Sequence, residues 1–340
     1  MARLAKLRLS MTIAILLVTM IFSAFLLGLL ILLRLPLIIS IPFTLFAVII
    51  FILLQYLIGP AMVRWSTGLR YLTTEEKSQL EWASDAEEMA QKSGIPTPKL
   101  AIVPDPTPNA FVFGRTTRGA TLAVHEGLLK QLNKEEIRGV IGHELGHLKH
   151  RDFLVMTVLS ALPLIAYLIA RLSFEAARFA NGGKKKEGLA LRVLLLAAGA
   201  VSYIVYIVVL LCVMRLSRLR EHYADAYSAY VTGEPRELES ALTKITYGLS
   251  LSPMPPHGAR TLYIGDPALA KQECQGILKR KEEYDLDKDG VLDERELELA
   301  MEREAKSRWT TMNTWFGTHP ATYQRAVSYT HLTLPTKRIV

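Results

Sequence analysis

The residues best suited to chemistry in this sequence are two histidines and a glutamate in the stretch VIGHELGHLKHRDF, residues 140–153. On a helix, His143 and His147 lie one turn apart on the same face, so both imidazoles can bind one metal ion. Glu144 can reach a water molecule on that metal. Zinc makes such a water acidic, and the carboxylate can take its proton while the oxygen attacks a peptide carbonyl. The spacing therefore predicts zinc ligands at 143 and 147 and a general base at 144.

The flanking sequence favours a helix for this motif over a chance match on a surface segment. Asn133 is a good N-cap, and apolar residues recur after it at helical spacing. Gly142 and Gly146 lower the helix propensity, but they leave room for another element to pack closely. We expect a second element to lie against this helix.

A catalytic zinc ion usually has three protein ligands and one open position. His150 lies one turn further along, and a straight helix cannot bring three such residues to one ion. An apolar run begins at Phe153, and a later one ends at Met214. If both helices continue out of a membrane hairpin, His147 and Glu221 each stand roughly 9–11 Å above its boundary. We therefore expect Glu221 to be the third ligand.

Asp225 shares a helix face with Glu221. It could hold a ligand imidazole through the ring nitrogen that does not bind the metal. The alternative for both acids is an ordinary solvated helix face. His222, about 100° around the helix from Glu221 at 3.6 residues per turn, is expected to pack or to form a surface hydrogen bond.

The composition indicates membrane segments together with a water-facing part. The 340 residues are 50% hydrophobic, and the runs 11–33 and 37–59 are each long enough to span a bilayer. We interpret them as a transmembrane hairpin with a cytoplasmic N-terminus, since basic residues precede the first run. A cleaved signal peptide is the competing interpretation, but the apolar core is too long for one.

A second hairpin is predicted from the runs 153–170 and 189–214. The loop between them is basic, contrary to the positive-inside tendency, so a shallow hairpin that does not cross the membrane is the alternative. The net charge of +8 is concentrated beside apolar runs, which fits lipid headgroups and gives no reason to expect nucleic acid. Two cysteines cannot build a disulfide framework, which fits a reducing cytosolic location.

The polar part is predicted to be an α+β domain. Thr73 and Glu76 form a capping box before a helix that ends near Gly94, and three short β-like runs follow. The predicted order along the chain is a transmembrane hairpin (1–60), the first catalytic part with the motif helix (61–152) and strands at 99–103, 109–113 and 120–124, a second hairpin (153–214), a second catalytic part with the third ligand (215–265), a helix-loop-helix insertion (266–308), the catalytic end (309–327) and a tail interpreted as non-native (328–340).

The insertion carries an acidic loop, DLDKDGVLDERE, at residues 285–296. Acidic residues and glycine occur at the loop positions that an EF-hand requires, and helix-compatible sequence flanks the loop. The alternative is an acidic turn that matches by chance. The predicted calcium ligands are Asp285, Asp287, Asp289, the carbonyl of Val291, Asp293 and Glu296. A single loop of this kind could bind calcium weakly, dimerise or be structural.

Four motifs together resemble the HtpX-type membrane metalloproteases, relatives of the CAAX prenyl endopeptidases. They are HELGH at 143–147, REHYADAYSA at 220–229, NAFVFG at 109–114 and THP at 318–320. The resemblance implies a gluzincin-like catalytic domain on the cytoplasmic face, with zinc bound by the residues at 143, 147 and 221. It also implies quality control, the cleavage of misfolded or damaged membrane proteins. The calcium loop departs from this family pattern.

The resemblance further implies that an edge strand binds the substrate by β-addition. That strand would comprise Asn109, Ala110, Phe111, Val112 and Phe113. The alternative is an ordinary sheet edge. His319 resembles a residue near the active site in this family and could stabilise the oxyanion, although a loop histidine is more often structural. If calcium orders the insertion, it could also order the segment that delivers His319.

We therefore expect a mostly helical α+β membrane protein: a multi-pass zinc endopeptidase of the prokaryotic inner membrane with a cytoplasmic active site and a role in the stress response. The expected partners are the lipid bilayer and polypeptide substrates; the sequence does not predict an oligomeric state. One alternative is a calcium-responsive membrane adaptor with a non-proteolytic metal site. Another is a protease specific for prenylated C-terminal motifs. Iron or cobalt could occupy the same ligand set.

Overall fold

The computed structural model describes residues 37–180, 186–252 and 263–288, and positions 13, 16, 20, 21, 25, 26, 296, 299, 300, 303, 320 and 325. The chain divides into two compact units. One comprises Met1–Gly59 and Leu154–Leu216, and the other comprises Pro60–Phe153 and Ser217–Val340. Several predicted features lie outside the described residues: most of the run 11–33, the calcium ligands Asp289, Val291 and Asp293, the candidate His319, and the tail 328–340.

The first unit is helical and apolar. Its helices come from α1 (Leu37–Thr67), α6 (Asp152–Phe179) and α7 (Lys186–Thr232). Within the unit, Gln55 donates a hydrogen bond to Ser160 at 3.2 Å. Among the described residues, the stretches Val155–Phe179 and Gly188–Thr232 are long and apolar enough to cross a membrane, by length and composition.

Many apolar side chains of these helices face outward, among them Leu164, Val193 and Ile204. A water-soluble surface rarely carries so many large apolar groups, because each one exposed to water forgoes the free energy of burial. The exposed residues therefore favour a lipid environment for this unit.

The second unit contains a mixed four-stranded sheet. β2 is parallel to β4, while β3 pairs antiparallel with β4 and β1 antiparallel with β2. The strand order β1-β2-β4-β3 leaves β3 at an edge. The strands are β1 (Arg70–Tyr71), β2 (Lys99–Val103), β3 (Ala110–Phe113) and β4 (Thr121–His125). The three longer strands lie within one residue of the predicted positions.

Seven further helices surround this sheet. They are α2 (Thr74–Gln79), α3 (Glu81–Lys92), α4 (Glu126–Gln131), α5 (Lys134–Lys149), α8 (Pro235–Leu251), α9 (Pro267–Lys279) and α10 (Lys281–Tyr284), as counted over the described residues. The capping box at Thr73 and Glu76 is present, but the single helix predicted after it is divided at Leu80, which is extended. α2 buries no side chain, whereas α3 buries Trp82 and Met89, so the break lets α3 turn its apolar face onto the core.

The motif helix α5 runs through the middle of this core. Asn133 caps it as predicted, and Glu136 completes a capping box. Glu136 is 1% exposed and also accepts hydrogen bonds from Lys244 and Ser240 of α8. α5 is therefore anchored at its first turn, three residues before the buried stretch that leads into the motif.

The expectation that the motif helix continues into the following apolar run is wrong. α5 ends at Lys149 with His150 as its C-cap, and α6 begins at Asp152. Between them Arg151 has a φ of 56°, a left-handed conformation that non-glycine residues seldom adopt. The chain therefore changes direction directly after the motif, which places Asp152 back beside it.

Candidate metal centre

Three side chains converge in the second unit. Nε2 of His143 lies 3.1 Å from Nε2 of His147. Each of these nitrogens lies 3.5 Å from an oxygen of Glu221. The structure therefore brings together the three residues predicted as ligands, two from α5 and one from α7.

The spacing of these atoms fits a tetrahedral zinc site. Zinc binds imidazole nitrogen and carboxylate oxygen at about 2.0–2.1 Å, so neighbouring ligand atoms of a tetrahedron lie about 3.3–3.4 Å apart. The three measured separations of 3.1, 3.5 and 3.5 Å straddle this value. Two imidazoles and one carboxylate also leave a fourth position for a water molecule or substrate.

A carboxylate binds each imidazole at Nδ1, the ring nitrogen on the side away from the metal position. Nδ1 of His143 lies 2.8 Å from Asp225, as predicted for that residue, and Nδ1 of His147 lies 2.7 Å from Asp152. Since each Nδ1–H donates to a carboxylate, each Nε2 keeps its lone pair for a metal. The contact of Asp152 with His147 was not predicted, because it depends on the turn at Arg151, for which the sequence contains no signal.

Two buried arginines complete the surroundings, and neither was predicted. Arg220 forms an ion pair with Asp152, and Arg325 forms one with Asp225 at 2.7 Å. Both arginines are 2% exposed. REHYADAYSA does place an arginine next to Glu221, but nothing in the sequence marks residue 325 as its counterpart.

With both imidazoles neutral, the buried charges of this centre match the charge of a divalent cation. Four carboxylates and two guanidinium groups leave two negative charges when both imidazoles are neutral. The carboxylates are Glu144, Asp152, Glu221 and Asp225, each at most 6% exposed, and the guanidinium groups are those of Arg220 and Arg325. Burying an uncompensated charge is costly, so the donor set and the net charge both fit Zn²⁺.

The same charges act on the imidazoles and on Glu144. Burial lowers the pKa of His143, but hydrogen bonds to Asp225 and Glu221 outweigh it and raise the pKa to about 9. Burial raises the pKa of Glu144, while the two neighbouring imidazoles act in the opposite direction. A carboxyl group whose affinity for protons is raised in this way is suited to take up a proton and release it again.

The edge strand β3 contacts the candidate base directly. The amide of Val112 donates a hydrogen bond to the carboxylate of Glu144. The amide of His125 donates to the carbonyl of Asn109, so the alternation of an antiparallel ladder turns the peptide groups of Ala110 and Val112 away from β4. The free edge of the sheet therefore lies next to the candidate base.

Of the residues predicted for the substrate strand, Asn109 has a further role. Its side chain is fully buried and accepts a hydrogen bond from the amide of Ile264 at 3.0 Å. Phe111 and Phe113 are buried in a small apolar cluster on one face of the sheet. The main chain of the strand, rather than these side chains, is what the edge presents.

His150, which we excluded as a ligand, points elsewhere. Its ring packs edge-on against Tyr223, with the ring centroids 3.9 Å apart.

At the predicted calcium loop, ligand atoms of Asp285, Asp287 and Glu296 lie within 4.8 Å of one another. The carboxylate of Glu296 is 4% exposed and accepts hydrogen bonds from the amides of Leu286 and Asp287.

Close packing of α5 against the second half of α7 sets the distance between the ligands. A Cβ atom on Gly146 would lie 3.0 Å from the Cα of Ala224, and one on Gly142 would lie 2.9 Å from Oγ of Ser228. Ser228 also donates a hydrogen bond to the carbonyl of Gly139 at 2.6 Å. The glycines therefore allow the contact that places Glu221 opposite the two histidines.

Replacing Gly146 by valine tests this contact. The side chain would meet the main chain of Ala224, so we expect destabilisation of about 1–3 kcal/mol, the usual cost of overpacking. Because ligand atoms must stay within about 0.5 Å of their positions, zinc affinity should fall at least tenfold. Thermal unfolding and competition with a chromophoric chelator measure the two effects.

The matched control is Gly276→Val in helix α9, where a Cβ atom would meet nothing within 4 Å. This variant should keep the zinc affinity of the wild type. An equal loss of affinity in both variants would show that the glycine contact does not position Glu221.

Comparisons with known proteins agree with this geometry. The chain matches the family model "Peptidase family M48" over residues 76–332. It is 40% identical to a protease HtpX homolog of Aeropyrum pernix over 195 residues, 57% of this chain and 59% of that protein. A protease HtpX homolog of Methanothermobacter thermautotrophicus is 37% identical over 227 residues, 67% of this chain and 78% of that protein.

A protease HtpX homolog 2 of Methanosarcina mazei is 38% identical and is matched over 65% of its length, so several of these relatives are matched over less than two thirds. The crystal structure of S. mikatae Ste24p aligns with a TM-score of 0.48 and 18% sequence identity, over 95% of this chain and 66% of that one. The family model covers well over half of the sequence, including every described residue of the candidate centre. This chain belongs to peptidase family M48.

Proposed function

We propose that the protein is a membrane-bound zinc endopeptidase. The observation that carries the proposal is the tetrahedral spacing of His143, His147 and Glu221 beside the buried carboxylate of Glu144. Bound zinc would supply a Lewis acid that polarises the peptide carbonyl and makes the attacking water acidic.

The residues around the metal account for the proton transfers. Glu144 would take a proton from the attacking water as the new C–O bond forms, and would give it to the amide nitrogen as the C–N bond breaks. Asp225 and Asp152 would keep the Nε2 atoms of His143 and His147 directed at the metal. His319, if it reaches the site, would stabilise the developing oxyanion.

We further propose that substrates bind as an added strand along β3. The N–H and C=O groups of Ala110 and the C=O group of Val112 point away from β4 and can pair with an extended peptide. Because Val112 also bonds Glu144, a paired peptide would pass close to the base. Recognition through main-chain atoms selects for extended, unfolded segments more than for particular side chains.

This mode of recognition favours quality control as the biological role. The proposed substrates are misfolded or damaged membrane proteins, cleaved by a multi-pass protein of a prokaryotic inner membrane whose active site faces the cytoplasm, as part of a stress response. The outward-facing apolar side chains of α6 and α7 support the membrane location. A protease specific for prenylated C-terminal motifs would additionally need a pocket that selects a lipid.

Glu144→Gln tests the proposed chemistry in detergent-purified protein. Glutamine keeps the shape but cannot take a proton, so casein cleavage should fall about 10²–10⁴-fold while zinc content stays unchanged. Chelation should abolish cleavage by the wild type, and added zinc should restore it. Glu135→Gln, on the exposed first turn of the same helix, is the control and should stay active. Undiminished cleavage by Glu144→Gln would contradict the mechanism.

Backbone-methylated peptides test the proposed strand pairing. An added strand donates only every second amide to β3, so methylating those amides should raise KM about tenfold each, the loss of one hydrogen bond of about 1.4 kcal/mol. Methylating the intervening amides is the control and should leave KM within about twofold. A KM that responds equally to both sets, or to neither, would exclude pairing along β3.

We also propose that the loop at 285–296 binds calcium. Asp285, Asp287 and Glu296 support this, because their oxygens can meet at one ion and Glu296 is held in place by main-chain amides. These residues occupy loop positions one, three and twelve of the predicted EF-hand. Calcium would order the segment that connects α9 to the last part of the catalytic unit.

Glu296→Gln should lower calcium affinity at least tenfold, because the twelfth position normally supplies both carboxylate oxygens. Terbium luminescence or calorimetry measures this, with Glu283→Gln, exposed in α10, as the control. If calcium orders the catalytic end, wild-type cleavage should also depend on calcium and the variant should lose that dependence. If cleavage does not depend on calcium in either protein, the loop has a structural role or none.

A further inference from the structure

Each candidate zinc ligand on α5 is the first member of a longer chain of contacts. His147 donates through Nδ1 to one oxygen of Asp152 at 2.7 Å. The other oxygen of Asp152 forms an ion pair with Nη2 of Arg220. Asp152 is 6% exposed and Arg220 is 2% exposed, so the part of this chain behind His147 is buried.

The second chain repeats the same order of groups. Nδ1 of His143 lies 2.8 Å from Oδ1 of Asp225. Arg325 donates a hydrogen bond to each oxygen of Asp225, from Nη2 at 2.7 Å and from Nε at 3.0 Å. Its remaining terminal nitrogen donates to the carbonyl of Ile264 at 2.7 Å, so the guanidinium group is itself fixed.

Neither arginine has a place among the ligands or in the proton transfers described above. Both are nevertheless buried as charged groups in a site with a net negative charge, at the considerable cost of removing each from water. Such a cost is met when the charge holds a specific partner in one orientation through hydrogen bonds. Each arginine has a partner in the carboxylate that binds an imidazole: Arg325 holds Asp225 through hydrogen bonds, and Arg220 holds Asp152 through an ion pair.

We infer that Arg220 and Arg325 are positioning residues for the zinc centre, each acting on a ligand histidine through the intervening aspartate. Arg220 acts on His147, and Arg325 acts on His143. The guanidinium group prevents the aspartate from rotating away from the imidazole or toward the metal. This fixes the ring tautomer and leaves the fourth coordination position open.

A purely electrostatic role predicts the opposite effect on affinity. Arg325 lies 3.6 Å from Glu221 and 3.5 Å from His143, so its charge repels a cation bound by them. On charge alone, removing it would tighten zinc binding. Loss of orientation would weaken zinc binding, as the removal of a group behind a metal ligand commonly does by 10–100-fold. The sign of the change therefore separates the two roles.

The inference rests on the proposed zinc site, and the test uses the full chain in detergent. Zinc affinity by chelator competition and the visible absorption of the cobalt-substituted protein are measured for Arg220→Met, Arg325→Met and the corresponding lysine variants. The control is Arg138→Met, which removes an ion pair with Asp85 on the outer part of α5. We expect both Met variants to bind zinc 10–100-fold more weakly and to show altered cobalt bands, with the control unchanged.

The lysine variants remain informative if a Met variant fails to fold. Arg220 contacts Asp152 through one terminal nitrogen, so Arg220→Lys should regain most of the affinity. Arg325→Lys should regain little of the zinc affinity, since lysine cannot form the bidentate contact with Asp225 together with the hydrogen bond to the carbonyl of Ile264. In both, kcat should fall more than KM changes, because substrate pairing with β3 is untouched.

The outcomes distinguish this inference from the proposed function. A wild-type protein without stoichiometric zinc would overturn the function itself. A wild type that binds zinc, with Met variants that bind it equally well or more tightly and show unchanged cobalt spectra, would overturn the positioning role alone. Equal recovery by the two lysine variants would reduce both arginines to simple counter-charges and would also overturn it.

Discussion

The burial of four carboxylates in one small volume is the constraint on which the candidate centre depends. Like charges in a medium of low polarisability repel strongly, and such a cluster would take up protons or open to water unless positive charge were built in. Two guanidinium groups compensate two of the four negative charges. When both imidazoles are neutral, the two remaining charges match those of a divalent cation, in agreement with the ligand distances.

This charge balance requires that side chains far apart in the sequence be held at fixed distances from one another. The contact between α5 and the second half of α7 does this without long side chains, since Gly142 and Gly146 let the backbones approach directly. A longer side chain at either position would act as a spacer between the histidines and Glu221. The cost of two helix glycines, about 1 kcal/mol each relative to alanine, is therefore tied to the metal site rather than to folding of the helix.

Local rules predicted the parts of the site that lie on one helix. The spacing of His143 and His147 and the cap at Asn133 follow from helix geometry, and the structure contains both. Glu221 required counting residues along two helices, and it lies within 3.5 Å of both rings although α5 and α6 are not continuous.

Other features depend on tertiary contacts that no pattern in the sequence records. Leu80 divides a helix without a proline or glycine, because the apolar face of α3 turns toward the core. Arg151 takes a left-handed conformation, and only that turn makes Asp152 a neighbour of His147. Arg325 meets Asp225 across 100 residues of chain, so the pair is a consequence of the folded core.

In the proposed binding mode, a single hydrogen bond from the edge strand would connect the metal centre to the bound substrate. Val112 donates its amide to Glu144, and that amide is therefore not available to an incoming peptide. The outward groups that remain, which include the carbonyl of Val112 and the peptide groups of Ala110, would fix the register of a paired peptide relative to the base. A paired substrate would shift its register in steps of two residues, since a slip of one would turn its hydrogen-bonding groups away from β3 and its side chains to the opposite face. Under this proposal, the geometry of one strand would influence both the position of the base and which peptide bonds it can reach.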